Sequence, residues 1–298
     1  MHIATLIAAT RPAFLSVTLV GVILGVCSAS ADGEFRSPFL ALITLLFALI
    51  AHAGANVIND YYDAMSGCDA ANVDRIFPFT GGSRFIQNGL LSTKQTAIFG
   101  YSLLAIVIPA GIYLITQSGS GLIAIGLPGL FAGWAYSAKP FKLQSRGVGE
   151  IAITIAWMMI VIGSDYVQRG AFALTPLFAG LAYSLLVANV LFINQIPDRI
   201  ADATSGKRTL IVRFGVNIAC IGSTLFYLGS TVTILIAIAE EILPLISLIT
   251  LLFWLPGSLA LSKLYINLED KTSLTSVIKL TIISTLLAGA LLSTSMLV

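Results

Sequence analysis

Two groups of hard oxygen ligands recur in this chain, 138 residues apart. The segment NVINDYYD occupies 56–63 and NQIPDRIAD occupies 194–202. Each copy reads Asn, then Asp four residues on, then a second Asp three or four residues further. On a helix, Asn56, Asp60 and Asp63 fall within about 60° of arc, and Asn194, Asp198 and Asp202 within about 80°. Each copy therefore predicts one narrow acidic stripe. Carboxylate and amide oxygens suit Mg2+ rather than zinc or copper. Mg2+ usually takes one or two carboxylates and completes its shell with substrate phosphates. Two facing stripes thus predict two or three Mg2+ ions gripping a diphosphate, with all six residues as metal ligands and Asn56 and Asn194 also beside the phosphates. Arg11, Lys139, Lys142, Arg146 and Lys207 are the basic residues placed to complete that anion site.

The elements that must carry these stripes lie in a membrane. Mean hydropathy is +0.95, with 57% hydrophobic and only 10% charged residues. Soluble domains carry roughly a quarter charged residues. Nine apolar runs, at 13–30, 39–58, 95–116, 120–137, 148–168, 174–193, 215–238, 242–262 and 276–296, are long enough to cross about 30 Å of hydrocarbon as helices. The third and fourth are close enough in sequence to form a tight hairpin. With the N-terminus inside, fourteen of the sixteen Lys and Arg residues fall on the inner side, and only Arg36 and Arg169 fall outside. This is the positive-inside pattern, and it puts both acidic stripes on the cytoplasmic side. The expected architecture is an all-α integral membrane bundle of nine transmembrane helices around a central cavity. It forms one domain over 1–298, with two pseudo-repeats at roughly 1–145 and 146–298. The expected location is a bacterial plasma (inner) membrane, with the active site facing the cytoplasm.

Other features carry less. Arg11, the apolar stretch from Ala13 and the ASA at 29–31 resemble a signal peptide. The mostly apolar residues 1–10 favour an uncleaved first helix instead. Cys27, Cys68 and Cys220 form no CxxC or disulfide pattern. His2 and His52 are not spaced as ligands, and His52 reads as a polar residue of the bundle interior. Gly67, Gly81 and Gly82 read as turn residues. Glu240, Glu241, Glu269 and Asp270 read as loop charges, and Glu150 as a structural residue at a helix N-terminus. Nothing points to nucleic acid.

On these residues the chain resembles the UbiA superfamily of intramembrane aromatic prenyltransferases. The likeness runs over nearly its whole length. It rests on RP at 11–12, on the first motif continuing through GCD at 67–69, and on the second motif. It rests also on YSAKPFK at 136–142 and GKRTL at 206–210. NDYYD at 59–63, TGGS at 80–83 and RGVGE at 146–150 look most like the 1,4-dihydroxy-2-naphthoate polyprenyltransferases of menaquinone synthesis. The resemblance implies Mg2+-dependent transfer from a polyprenyl diphosphate to an aromatic acceptor. It implies Asp60, Asp63, Asp198, Asp202 and Tyr136 as the catalytic set, with Tyr136, Lys139 and Lys142 near the diphosphate or the allylic cation. The apolar FPF at 77–79 departs from that branch and leaves a hydroxybenzoate, a homogentisate or another ring as the alternative acceptor. A cation-coupled transporter predicts acids near the bilayer midplane, whereas these lie at helix ends. A CDP-alcohol phosphatidyltransferase requires a DGxxAR element, which is missing.

Overall fold

The structure, a computed structural model, describes residues 2–266 and 270–298; the loop charge at Glu269 lies outside them. Among the described residues all regular structure is helical. The α-helices run α1 (Ile3–Ala9), α2 (Leu15–Ala31), α3 (Pro38–Ser66), α4 (Cys68–Ala71), α5 (Thr93–Ser118) and α6 (Gly121–Ala135). They continue with α7 (Gly149–Arg169), α8 (Leu174–Thr204), α9 (Leu210–Phe214), α10 (Ala219–Ala239), α11 (Trp254–Ile266) and α12 (Lys271–Ser295). Each of the nine apolar runs falls on helical structure, and among the described residues eight helices are long and apolar enough to cross a membrane. The remaining apolar helix, α6, has 15 residues. The run at 242–262 begins as the 3-10 segment Leu245–Phe253 before α11.

Local chemistry sets several helix ends. The Ser37 hydroxyl caps α3, with Pro38 in its first turn. Ser92 and Gln95 form a reciprocal capping box on α5. The Asp270 carboxylate accepts from the Ser273 amide at the start of α12. Gly67 and Gly170 end α3 and α7 in the left-handed conformation that glycine adopts without steric cost.

The largest departure from the hydropathy reading lies in α3 and α8. These helices have 29 and 31 residues, or about 44 and 46 Å of rise. Both run on past the apolar stretch, and α8 runs through Pro197. Both acidic motifs therefore ride on continuous helix, and each stripe has a single face.

Helix α8 is the hub. In its most apolar stretch 72% of residues are buried, against 17% in the peripheral α5. It packs against α2, α7, α10 and α12. Tyr183, on α8, donates to the Val17 carbonyl of α2 at 2.8 Å inside one apolar cluster. At the end of the bundle opposite the motifs, a polar fastening joins α2, α3 and α7. Arg169 pairs with Asp165 at 2.8 Å and with Asp32 at 2.7 Å. The Gln168 carboxamide oxygen accepts from the amides of Arg36 and Ser37, at 3.1 and 2.9 Å.

Candidate active site

The motif ends of α3 and α8 both contribute to a polar cavity of about 110 Å³. Lys207 links the two motifs. Its ammonium is 2.9 Å from Asp63 and 3.3 Å from Asp202. Burial alone would lower its pKa, but Asp63 and Asp202 more than offset this and hold it well above the ordinary lysine value. Asp60 pairs with Arg11, and the Ser83 amide donates to its other oxygen at 3.2 Å. Asp198 accepts from the Asn72 amide at 2.6 Å and from the Gly81 backbone N–H at 3.2 Å. Gln144 reaches Asp63 at 3.3 Å, and Asn59 donates to Asp63 at 3.2 Å and to Ser137 at 2.9 Å. Burial pushes the Cys68 thiol up to about 12, so it stays protonated and donates to Asp202 at 3.2 Å.

A fifth carboxylate joins these four. Gly67 stops α3 at a positive φ of 78°, and the short α4 then turns the chain back. Asp69 on α4 is 3% exposed and lines the same cavity. Burial, then repulsion from Asp63 and Asp60, raises its carboxyl to about 8. The 72–84 segment lies against it. Gly81 and Gly82 both take positive φ, and a Cβ on Gly82 would stand 2.7 Å from an Asp69 oxygen. Arg84 fixes this segment by donating to the Asp69 and Asn72 carbonyls, each at 3.0 Å. The two glycines are thus turn residues, and Gly81 also spends its N–H on a motif carboxylate.

The donor set fits Mg2+. Five carboxylates cluster here, and among the described residues only Arg11 and Lys207 form ion pairs with them. Among the described residues, two buried oxygens, Asp69 Oδ2 and Asn194 Oδ1, have no hydrogen-bond partner, which is costly unless a cation or donor arrives. Among the described residues no three acids, histidines or cysteines converge on one point. That spread suits an ion that takes few protein carboxylates and relies on phosphate oxygens.

A second cavity, of about 310 Å³ and mostly apolar, adjoins the first. Arg11, Asn59, Phe79, Tyr136, Leu191 and Asn194 line both. The apolar wall comes from α2, α3, α5, α6, α7 and α8, with Trp157 and Ile160 among its residues.

The structure thus brings together Arg11, Asp60, Asp63, Tyr136, Asn194, Asp198, Asp202 and Lys207. Asn56 lines the apolar cavity, and its amide donates to the Thr10 carbonyl at 3.0 Å. Lys139, Lys142 and Arg146 line neither cavity. Lys139 and Arg146 are exposed, and Arg146 donates to the Pro140 carbonyl at 2.9 Å. They are near Tyr136 in sequence, but Lys139 and Arg146 face outward and Lys142 is half-buried away from both cavities. Asp69, Asn72, Gln144 and Gln195 also line the polar cavity, and the stripe arithmetic does not predict them. The available signal was Gly67, which ends a helix and frees the next acid to fold back.

The chain matches the UbiA prenyltransferase family over residues 14–294. It is 28% identical over 213 residues to the 1,4-dihydroxy-2-naphthoate octaprenyltransferase of Escherichia coli (strain K12), covering 69% of this chain and 67% of that protein. It is 28% identical over 210 residues to the enzyme of the same name from Mycobacterium tuberculosis (strain ATCC 25618 / H37Rv), covering 70% and 69%. The fold is similar to a UbiA homolog from Archaeoglobus fulgidus solved with DMAPP and Mg2+, with a TM-score of 0.66, 17% identity and coverage of 97% of this chain and 99% of that one. A digeranylgeranylglyceryl phosphate synthase gives a TM-score of 0.65 at 15% identity, with 98% of both chains covered. With the matched family spanning nearly the whole helical bundle and both acidic motifs, this chain belongs to the UbiA prenyltransferase family and is a membrane prenyltransferase.

Proposed function

We propose that the protein transfers a polyprenyl group from polyprenyl diphosphate to an aromatic acceptor, 1,4-dihydroxy-2-naphthoate, on the cytoplasmic side of a bacterial plasma membrane. One observation carries this reading. A carboxylate-rich polar cavity with two paired cations, the buried Lys207 and the half-buried Arg11, adjoins an apolar cavity through shared walls. A prenyl diphosphate has the same division into charged head and hydrocarbon tail. The names of the relatives support the choice of acceptor. In this reading α6 adds a ninth span to the eight longer helices.

Asp60, Asp63, Asp69, Asp198 and Asp202, with Asn194, would hold Mg2+, which supplies Lewis-acid neutralisation of the leaving diphosphate when bound. Lys207 and Arg11 add positive charge where the phosphates develop negative charge. Phe79, Tyr136 and Leu191 at the junction keep water from the allylic carbon. The Tyr136 ring face offers electron density to the carbocation. The allylic C–O bond breaks, its electrons leave with diphosphate, and a ring carbon forms the new C–C bond. The ring then sheds a proton, or its carboxylate as carbon dioxide, to regain aromaticity. Lys139, Lys142 and Arg146 would attract the diphosphate at the entrance rather than hold it within.

The test is purified protein with Mg2+, farnesyl or geranylgeranyl diphosphate, and a panel of dihydroxynaphthoate, hydroxybenzoate and homogentisate, read by mass. A prenylated naphthoate product is expected. Product with another ring alone would move the acceptor and leave the chemistry. Asp60→Ala and Asp198→Ala should each cost roughly 100-fold or more in turnover while the protein stays folded. Activity within a few fold of wild type in either variant would sink the mechanism.

A further inference from the structure

Both substrates have to meet near the junction of the two cavities, and only one of them has a use for a hydrogen bond in the apolar part. The hydrocarbon tail of a prenyl donor offers neither donor nor acceptor. Yet the apolar cavity has an imidazole in its wall. His52 lies on α3 one turn before Asn56, about 12 Å of helix rise from Asp60. Its Nδ1 is 2.8 Å from the Thr18 hydroxyl of α2. Its ring meets Trp157 of α7 edge to face, with centroids 4.9 Å apart. Two contacts from two other helices therefore fix the ring. Thr18 is fully buried, so its hydroxyl has little choice of partner. Among the described residues Nε2 has no hydrogen-bond partner, and the residue borders the cavity.

A core histidine serving only structure would use both ring nitrogens or shield the second one. This one spends Nδ1 on its anchor and leaves Nε2 on the side of a substrate chamber. We propose that His52 is a specificity-determining residue whose Nε2 hydrogen-bonds a hydroxyl of the aromatic acceptor, with Thr18 and Trp157 as its positioning residues. The inference rests on the prenyl-transfer reading. The neutral imidazole suits this task because either tautomer can serve. With the Thr18 hydroxyl donating to Nδ1, Nε2–H donates to a phenolic oxygen. With Nδ1–H donating to Thr18, Nε2 accepts the phenolic proton. The ring would be turned so that its nucleophilic carbon points toward the diphosphate end, which is an orientation effect rather than a charge effect. A site built to bond a hydroxyl rejects a ring lacking it far better than an apolar wall does.

The experiment compares wild type, His52→Leu and His52→Gln in detergent with Mg2+ and geranylgeranyl diphosphate. The acceptors are 1,4-dihydroxy-2-naphthoate and 4-hydroxybenzoate, each paired with its O-methyl counterpart. Wild type is expected to prefer the free hydroxyl. His52→Leu should raise the acceptor KM by about tenfold, leave the donor KM within about twofold, and lose the preference over the O-methyl ring. His52→Gln, which keeps a hydrogen-bonding end, should recover part of that preference. Should His52→Leu not fold, Thr18→Val loosens the same ring without touching the cavity wall and is expected to blunt the preference in the same direction. An unchanged preference in the folded variants, or an equal rise in donor and acceptor KM, overturns the role of His52 and leaves prenyl transfer intact. If wild type forms no product with either ring or with homogentisate, the prenyl-transfer reading falls, and this one with it.

Discussion

Lys207 neutralises two carboxylates that belong to different helices, Asp63 on α3 and Asp202 on α8. Removing it leaves both acids buried without a counter-charge, and orphaning a buried charge costs about 3–5 kcal/mol. Lys207→Met should therefore melt well below wild type in chelator, and Mg2+ should restore part of the loss. Equal melting of the two proteins in chelator would refute this role. Asp69 makes the opposite prediction. Its carboxyl is raised to about 8 in the fold, whereas the unfolded chain titrates near 4. Between those values the folded protein binds the proton that the unfolded chain has released. The contribution of this group is then full below pH 4 and is lost as pH rises through 8. In metal-free protein Asp69→Asn should flatten the fall in Tm between pH 6 and pH 8.5, and parallel wild-type and variant curves would count against it. The clustering of Asp60, Asp63, Asp198 and Asp202 is legible from spacing alone, whereas Asn56 turns instead to the apolar cavity and the Thr10 carbonyl. Asp69 is not legible in this way, because its place depends on a reversal at Gly67 that spacing does not encode.

At the level of elements, hydropathy located the helices and misjudged where they stop. The runs ending near 58 and 193 continue to Ser66 and Thr204. An apolarity window closes at the first acids. A helix does not have to close there when tertiary partners satisfy those acids, as Arg11, Lys207 and Asn72 do here. The loop between α4 and α5 carries the apolar FPF at 77–79, whose Phe79 lines both cavities. The same loop also shapes the carboxylate cluster, since Gly82 lies against Asp69 and the Gly81 N–H donates to Asp198. Gly82→Ala places a methyl 2.7 Å from an Asp69 oxygen at a φ of 68°. Such a substitution costs more than about 1 kcal/mol from the backbone alone. It should shift Asp69 and weaken Mg2+ binding several-fold by calorimetry with little effect on helix content. Wild-type Mg2+ affinity in this variant would show that the loop does not shape the site.

At the scale of the whole molecule, family and membrane character were legible from composition and two repeated motifs. The adjacency of a polar and an apolar chamber was not, because it arises from which helices happen to be neighbours. The two ends of the bundle are held differently. Asp165, Arg169 and Asp32, with Gln168 holding the start of α3, form a dense knot at one end. At the other, Lys207 shares its charge between α3 and α8, and Cys68, Asn72 and Gly81 add only neutral donors to the α8 carboxylates. Spin labels at Val73 and Phe214, both exposed at the chamber end, should give a broad distance distribution that narrows with Mg2+ and geranylgeranyl diphosphate. Labels at Phe35 and Phe172, at the knotted end, should be narrow throughout. Equal widths at both ends would contradict the asymmetry. The knot around Arg169 would then act as a fulcrum. Any breathing of the bundle would open as a wedge with its mouth at the two cavities and its seam closed at the Arg169 end.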